Sequence, residues 1–254
     1  MECNTFYVEL EGIELKGQVY VPDVIPAPAL CLCHGMPRGG PADPGDRGYA
    51  GLAERFVREG FVTITFNFRG AGESEGNFDI SGWTRDLKAI LDHICCMDGV
   101  DKSRVSLMGF SAGAAVSIYI AAQDRRVSSV IACACPDISR LAGDRELAES
   151  VIANYREMGV IKDAHFPPSI EDWMEGFSEV YSGDWIEDIS PRPILIIHGD
   201  EDDVVPPSSA WSLYERADDP REILIIKGTG HRIRTSDEAM DYALNWLKSR
   251  MFGD

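Results

Sequence analysis

The sequence predicts an α/β fold, with a mostly parallel sheet and helices on both of its faces. Short apolar runs at 29–33, 61–66 and 194–197 alternate with stretches such as 49–57, whose apolar residues share one helical face. This alternation is typical of parallel strands joined by right-handed crossovers. Polar and glycine-rich loops follow several strands, at the sheet edge where ligands bind in such folds.

Length and composition indicate a single domain spanning residues 1–254. Apolar residues make up 44% of the chain, which is sufficient for a large core. The formal net charge of −18 disfavours nucleic acid and anionic membrane surfaces as partners, because both would repel the chain. The sequence shows neither an apolar run long enough for a membrane span nor an export signal, so we expect a cytoplasmic protein.

The seven cysteines also favour a reducing cytoplasm, since several occur in apolar runs typical of buried strands. Side chains alternate between the two faces along a strand. Cys31 and Cys33 are therefore expected to share one face of the sheet, and Cys133 and Cys135 are likewise expected to share one face. Structural zinc prefers loops and a longer spacing, so the sequence predicts no metal site at these pairs.

Apolar periodicity and turn residues place the remaining elements. An alternating segment at 6–21, interrupted at Gly12, predicts an amino-terminal antiparallel hairpin. A long Pro/Gly loop is expected at 37–48. Further strands are predicted at 105–108, 127–135 and 222–226, and further helices at 83–94, 112–121, 208–216 and from 235. Thr235 and Glu238 predict a capping box at the start of the last helix.

Residues 137–190 interrupt the alternation, because they are too many for a single crossover helix. Apolar spacing predicts one helix around 147–155 and another around 170–181, separated by Pro167 and Pro168. We interpret this segment as a small helical lid insertion over the strand ends. Ordinary crossover helices without a gating role are the alternative.

A nucleophile turn is indicated by Gly109-Phe110-Ser111-Ala112-Gly113, a G-x-S-x-G motif. It follows an apolar strand and precedes a run of small and apolar residues typical of a helix. Such a turn projects the serine hydroxyl from a strained backbone, and neighbouring chain passes too close for side chains at the two glycines. A serine hydroxyl is a poor nucleophile alone, so the motif needs a base and a carboxylate elsewhere in the chain.

Three histidines follow Ser111 and could serve as its base: His165, His198 and His231. His165 lies in the expected lid and His198 at the tip of a strand. His231 lies in a glycine-rich loop after the last strand, and such a loop can direct an imidazole over the sheet. The order serine, acid, histidine along the chain favours His231.

The carboxylate is expected directly after the strand at 194–197. Four acids crowd together there: Asp200, Glu201, Asp202 and Asp203. A calcium or magnesium loop is the alternative for such a cluster, but the glycine and terminal glutamate of an EF-hand do not follow.

Several loops resemble those of the α/β-hydrolase superfamily. The segment 196–206 resembles its acid loop, H-G-x-x-D-x-x-V-P. The other matching pieces are His34-Gly35-Met36, Asn67-Phe68-Arg69-Gly70-x-Gly72-x-Ser74, the Ser111 turn and the His231 loop. The resemblance covers almost the whole chain and is strongest to small bacterial serine esterases and dienelactone-hydrolase-like proteins. The chain departs from the dienelactone enzymes themselves, which carry cysteine at the position of Ser111.

The resemblance implies an α/β-hydrolase fold with an eight-stranded, mostly parallel sheet, a catalytic triad and no cofactor. In this chain the triad would be Ser111 as nucleophile, Asp202 as acid and His231 as base, with Asp203 as the alternative acid. A dehalogenase is disfavoured, because it would need a carboxylate at position 111.

The resemblance also implies an oxyanion hole formed by the backbone N–H groups of Met36 and Ala112. The two other histidines of the matched loops, His34 and His198, are expected to anchor those loops by hydrogen bonding. Arg69 is expected to hold its own loop.

A dinucleotide site is the alternative for the glycine-rich loop at 70–76. However, the third glycine, Gly76, comes one residue late for G-x-G-x-x-G. The next helix is predicted only from about residue 80, so no helix start would face a pyrophosphate. We therefore expect neither NAD nor FAD.

Taken together, the motifs predict a serine hydrolase that cleaves small-molecule carboxylic esters. Thioesterase, lactonase and peptidase activities would use the same residues and remain open. A non-catalytic binding protein with this fold is the other alternative. The sequence leaves the oligomeric state open, a homodimer included.

Overall fold

The structure, a computed structural model, describes residues 2–37 and 46–253, so most of the predicted loop at 37–48 lies outside the described residues. Eight strands are present in this part of the chain: β1 (Glu2–Leu10), β2 (Ile13–Val21), β3 (Ala27–Cys33), β4 (Val62–Phe66), β5 (Val100–Phe110), β6 (Val127–Cys133), β7 (Ile194–Gly199) and β8 (Arg221–Ile226). They form one sheet in the order β1-β2-β4-β3-β5-β6-β7-β8.

The predicted amino-terminal hairpin is confirmed. β1 and β2 pair antiparallel around Glu11 and Gly12, both of which have positive φ. A two-residue turn of this kind matches the twist of the flanking strands. β2 also runs antiparallel to β4, and every later pairing in the sheet is parallel. The predicted α/β class with a mostly parallel sheet is therefore confirmed.

Helices cover both faces of the sheet, as predicted. The described helices are α1 (Gly48–Arg58), α2 (Ile80–Cys96), α3 (Ala112–Gln123), α4 (Arg140–Gly143), α5 (Arg145–Glu157), α6 (Ile170–Glu179), α7 (Ser208–Arg216) and α8 (Asp237–Met251). Apolar residues of α1 and α8 pack in one buried cluster, and those of α2, α3 and α7 pack in a second. The two clusters are the two faces of the core.

The segment between β6 and β7 contains the helical insertion that the sequence predicts. Its second long helix ends at Glu179, before the predicted end at residue 181. The insertion packs against the start of α2: the Trp173 indole N–H donates to the Phe78 carbonyl (3.3 Å), and the Phe78 N–H donates to the Val160 carbonyl (2.8 Å). Its action as a moving lid stays a prediction.

Two local predictions are wrong. Cys133 and Cys135 pack in different core clusters, because β6 ends at Cys133 and Ala134 turns the chain with a φ of 49°. The last helix is capped by Ser236, whose hydroxyl accepts from the Ala239 N–H (3.3 Å). Thr235 lies in the preceding 3₁₀ turn and donates to the Arg232 carbonyl instead (2.8 Å).

None of the helices in the described part of the chain has the length and apolar composition needed to cross a lipid bilayer.

Candidate active site

Ser111 lies in the abrupt turn between β5 and α3. Its φ of 52° and ψ of −126° are unusual for a residue with a side chain. The packing around it explains the flanking glycines. A Cβ on Gly109 would collide with the backbone of α3, and a Cβ on Gly113 would collide with the backbone at Cys33 and His34. The strained turn that the motif predicts is therefore present, and close backbone packing holds it.

The loop after β3 lies directly against this turn. A Cβ on Gly35 would come within 2.8 Å of both the Ser111 Cβ and the Phe110 carbonyl oxygen. The next N–H group along that loop belongs to Met36, and the first N–H of α3 belongs to Ala112. Neither N–H donates a hydrogen bond to another residue of the described chain. The start of α3 favours negative charge beside the Ala112 N–H. The roles of Met36 and Ala112 in an oxyanion hole stay predictions.

Asp202 lies in the turn after β7, with its side chain fully buried. Its Oδ1 accepts hydrogen bonds from the N–H groups of Val204 and Val205, each at 2.9 Å. Its Oδ2 accepts from Nδ1 of His231 at 2.8 Å. Asp203, the alternative acid, points into solvent. The structure therefore brings Asp202, and not Asp203, into contact with the candidate base.

The surroundings of Asp202 favour its ionised form. Burial on its own would raise the pKa of this carboxyl, but hydrogen bonds from Val205, His231 and Val204 lower the pKa below its usual value. Because the carboxylate only accepts, His231 carries its proton on Nδ1 and keeps a lone pair on Nε2. That is the form of imidazole that can remove a proton from a hydroxyl.

The loop after β8 holds His231 by hydrogen bonds to the turn after β7. The Gly228 N–H donates to Asp200 Oδ1 (2.6 Å), and the Glu201 N–H donates to the Thr229 carbonyl (3.1 Å). Gly199 is required at this junction, because a Cβ there would collide with the Thr229 carbonyl. The acid turn and the base loop are therefore joined as one unit.

His198 anchors the same unit by hydrogen bonding, as the sequence predicts. It is fully buried at the end of β7, and its Nε2–H donates to the Val205 carbonyl at 3.0 Å. The same nitrogen lies 3.2 Å from Asp202 Oδ2. Its Nδ1 is buried and has no partner among the described residues. His198 thus fixes the turn whose N–H groups hold the Asp202 carboxylate.

Ser111, Asp202 and His231 follow β5, β7 and β8, so all three lie at the carboxyl edge of the parallel part of the sheet, with β6 between β5 and β7. Asp202 and His231 are in direct contact. Among the described residues, the Ser111 hydroxyl has no hydrogen-bond partner, His231 included. Catalytic hydrogen bonds are often longer in an unliganded enzyme than in its substrate complex, so this arrangement is compatible with a triad.

His34 and Arg69 hold the loops on the other side of Ser111. His34 Nδ1–H donates to the Gly35 carbonyl (2.7 Å), and its Nε2 accepts from the Phe68 N–H (3.0 Å). Burial lowers the pKa of His34 to about 4, so the ring is neutral. Arg69 forms a buried ion pair with Asp86 (2.7 Å). The predicted anchoring roles of His34 and Arg69 are confirmed.

A further link near the site was not predicted. The Arg234 guanidinium pairs with Asp46 and lies 5.3 Å from the centre of the Tyr49 ring. Tyr49 in turn packs edge-on against Phe110, with ring centres 5.5 Å apart. These contacts join the start of α1 to the loop that carries His231. No motif marks them, because the partners are nearly two hundred residues apart in the chain.

Within residues 2–37 and 46–253, no group of three histidine, cysteine or acidic side chains is arranged to hold a metal ion. All seven cysteines are free thiols.

Comparison with known proteins identifies the family. The sequence profile of the prolyl oligopeptidase family matches residues 52–251, well over half of the chain. The chain belongs to this family. The family match and the structural similarities below confirm the resemblance to α/β-hydrolases.

Among relatives, the uncharacterized protein Rv2307c of Mycobacterium tuberculosis is 27% identical over 207 residues, which cover 80% of this chain and 63% of that protein. The chain therefore spans less than two thirds of the length of this relative. Among solved structures, the α/β-hydrolase GrgF from Penicillium sp. sh18 superposes with a TM-score of 0.76 at 21% identity, covering 99% of this chain and all of that one.

Acetyl xylan esterase 1 from Thermoanaerobacterium superposes with a TM-score of 0.69 at 22% identity, covering 96% of this chain and 82% of that enzyme. At such identities the similarities establish a shared α/β-hydrolase fold.

Proposed function

We propose that this chain is a serine hydrolase that cleaves carboxylic esters through an acyl-enzyme on Ser111. The observation that carries the proposal is the 2.8 Å hydrogen bond from His231 Nδ1 to the buried Asp202 carboxylate. This pair lies at the same sheet edge as a serine in a strained turn. The same three residue types perform acyl transfer on several unrelated folds.

The first half of the reaction acylates the serine. His231 Nε2 removes the proton from Ser111 Oγ as the oxygen attacks the ester carbonyl carbon. The carbonyl oxygen becomes an oxyanion, which accepts hydrogen bonds from the N–H groups of Ala112 and Met36. When the tetrahedral intermediate collapses, His231 donates its proton to the departing alcohol. Asp202 holds the imidazole in the required tautomer and stabilises its charged form.

The second half releases the acyl group. His231 removes a proton from a water molecule as that water attacks the acyl carbon of the Ser111 ester. The same N–H groups stabilise the second oxyanion, and His231 returns the proton to Ser111 Oγ as the carboxylic acid leaves. No cofactor takes part in either half.

Esterase activity is also supported by the structural similarity to an acetyl xylan esterase. A peptidase is the second candidate, and the family match favours it. Both use the same acyl-enzyme, so the leaving group distinguishes them. Turnover of proline-containing aminoacyl arylamides, with little turnover of simple esters, would favour the peptidase.

Hydrolysis of p-nitrophenyl butyrate tests the proposal. We expect Ser111→Ala to lower kcat by roughly a thousandfold or more while leaving the melting temperature close to that of the wild type. Ser103→Ala is the matched control, since Ser103 is an exposed serine near the amino end of β5, at the opposite end of the strand from Ser111. Wild-type turnover by Ser111→Ala would refute the assignment of the nucleophile.

A further inference from the structure

A cavity of about 430 Å³ adjoins the proposed active site at the carboxyl edge of the sheet. One wall comes from the acid turn, including Val204 and Val205. A second comes from the chain just after β6, and a third from the insertion, with Arg140 and Tyr181. The volume lies within the range that holds a small organic ligand.

Two contacts connect this cavity to the triad. The Val204 and Val205 N–H groups hold the Asp202 carboxylate. The cavity-lining chain after β6 follows Cys133, the last residue of that strand, whose carbonyl accepts the Ser111 N–H at 2.9 Å. Ser111 itself does not line the cavity. The cavity is therefore placed to hold a part of the substrate that is distal to the reacting carbonyl.

The lining is mixed in chemical character. Proline, valine and leucine side chains make up one part of it, and these suit a short hydrocarbon chain. The start of α7 contributes the hydroxyls of Ser208, Ser209 and Ser212. Only two of the described lining residues carry a charge, Asp137 and Arg140. The Asp137 carboxylate already accepts from the Ser139 N–H (3.0 Å) and the Ser139 hydroxyl (2.6 Å).

Arg140 differs from Asp137, because it forms no ion pair or hydrogen bond with any residue of the described chain. Its guanidinium presents several N–H donors in a planar arrangement that matches a carboxylate. Arg140 is solvent-exposed, so its unpaired guanidinium lies at the open side of the cavity, where it is suited to a substrate that ends in an anionic group.

We propose that this cavity is a substrate subsite, with Arg140 binding an ionised carboxylate carried on the chain of the ester substrate. The proposal rests on the proposed serine hydrolase function. The favoured substrates are monoesters of dicarboxylic acids, in which an apolar chain separates the scissile ester from the free carboxylate. Arg140 thus selects the substrate without touching the reacting atoms.

A binding measurement tests the subsite without relying on turnover. Monomethyl adipate is titrated by calorimetry into Ser111→Ala and into Ser111→Ala with Arg140→Gln. We expect the second protein to bind roughly fivefold to tenfold more weakly, because it lacks one hydrogen-bonded charge partner. Equal affinity in the two proteins, or no detectable binding to Ser111→Ala, would overturn the proposal.

Turnover measurements test whether the enzyme prefers esters that carry a terminal carboxylate. We compare kcat/KM for p-nitrophenyl hydrogen adipate, p-nitrophenyl hexanoate and p-nitrophenyl ε-aminocaproate, whose chains differ only in the terminal group. Arg140→Gln is expected to lower the ratio of adipate to hexanoate ester roughly fivefold or more. Arg125→Gln is the control, since it removes the same charge from an exposed arginine outside the cavity lining.

Two further outcomes would contradict the proposal. One is an unchanged ratio in Arg140→Gln. The other is a preference for the ε-aminocaproate ester that disappears in Asp137→Asn, which would assign the cavity to cationic groups. If the wild type hydrolyses none of the esters, the proposed function fails, whereas the calorimetric comparison still decides whether Arg140 binds a carboxylate.

Discussion

The loop after β4 and the turn after β7 each depend on a buried aspartate, but the two carboxylates face different partners. Asp86 is fully buried and accepts three hydrogen bonds from Arg69, from its backbone N–H (2.8 Å), Nε (2.9 Å) and Nη2 (2.7 Å). Asp202 is held by two backbone N–H groups and by His231.

The difference separates a structural ion pair from a candidate catalytic pair. A guanidinium stays charged at every pH that proteins experience, so Arg69 and Asp86 can fix a loop but cannot exchange a proton with a substrate. An imidazole holds or releases a proton near neutral pH. Burial also outweighs the Arg69 hydrogen bonds and raises the pKa of Asp86, whereas hydrogen bonds outweigh burial and lower the pKa of Asp202.

Replacing Asp202 should have the largest effect on activity. In Asp202→Asn an amide N–H would face His231 Nδ1, which would move the imidazole proton to Nε2 and leave no base beside Ser111. We expect kcat for p-nitrophenyl butyrate to fall roughly a thousandfold to ten-thousandfold. Asp203→Asn is the matched control, because that side chain is exposed. Similar losses in the two variants would contradict the assignment of the acid.

Replacing Asp86 should act on stability instead. Asp86→Asn leaves the buried Arg69 guanidinium without its main counter-charge, which typically costs about 3–5 kcal/mol of unfolding free energy. Urea denaturation measures this loss. Asp92→Asn is the control, since Asp92 pairs with Arg126 at the surface. This substitution should lower the free energy of unfolding by less than about 1 kcal/mol. A loss of similar size in both variants would remove the contrast between buried and exposed pairs.

His34 predicts a pH dependence of stability. Burial lowers its pKa from 6.5 to about 4, so the unfolded chain takes up this proton first as the pH falls. The stability linked to neutral His34 is complete above pH 6.5 and is lost as the pH falls toward 4. At about 1.4 kcal/mol per pKa unit, the loss approaches about 3 kcal/mol.

Denaturation of wild type and His34→Gln across this pH range isolates the effect of His34, because other titrating groups are common to both proteins. The free-energy difference between them should shrink steadily as the pH is lowered. A difference that does not change with pH would mean that His34 is not kept neutral by burial.

The smallest effect is expected at His198. His198→Met removes the N–H that donates to the Val205 carbonyl and loosens the turn that holds Asp202. At about 1 kcal/mol for one hydrogen bond, kcat should fall roughly fivefold with little change in KM. His198→Gln can place an amide N–H near the same position and should recover most of the rate. Equal rates in the two variants would show that this hydrogen bond does not support the turn.

Much of the fold and part of the site could be predicted from local sequence patterns. The alternation of strands and helices, the hairpin at Gly12 and the strained turn at Ser111 each depend on neighbouring residues. The choice of Asp202 over Asp203 required the loop resemblance, and the observed hydrogen bond to His231 agrees with it.

The features that escaped prediction depend on backbone geometry or on distant contacts. Simple strand alternation fails at Cys135 because Ala134 turns the chain out of β6. Ser236 caps α8 because Thr235 is part of the preceding 3₁₀ turn. The pairing of Arg234 with Asp46 and the cavity at Arg140 require elements that are far apart in the chain, which no local pattern reveals.

The most direct test of the account is covalent labelling of the wild-type protein with a fluorophosphonate, followed by mass mapping of the modified peptide. The account predicts one modified residue, Ser111, and loss of labelling when His231 is replaced by Gln. A well-folded protein that takes up no label, or one labelled at another serine while Ser111 stays unmodified, would contradict it.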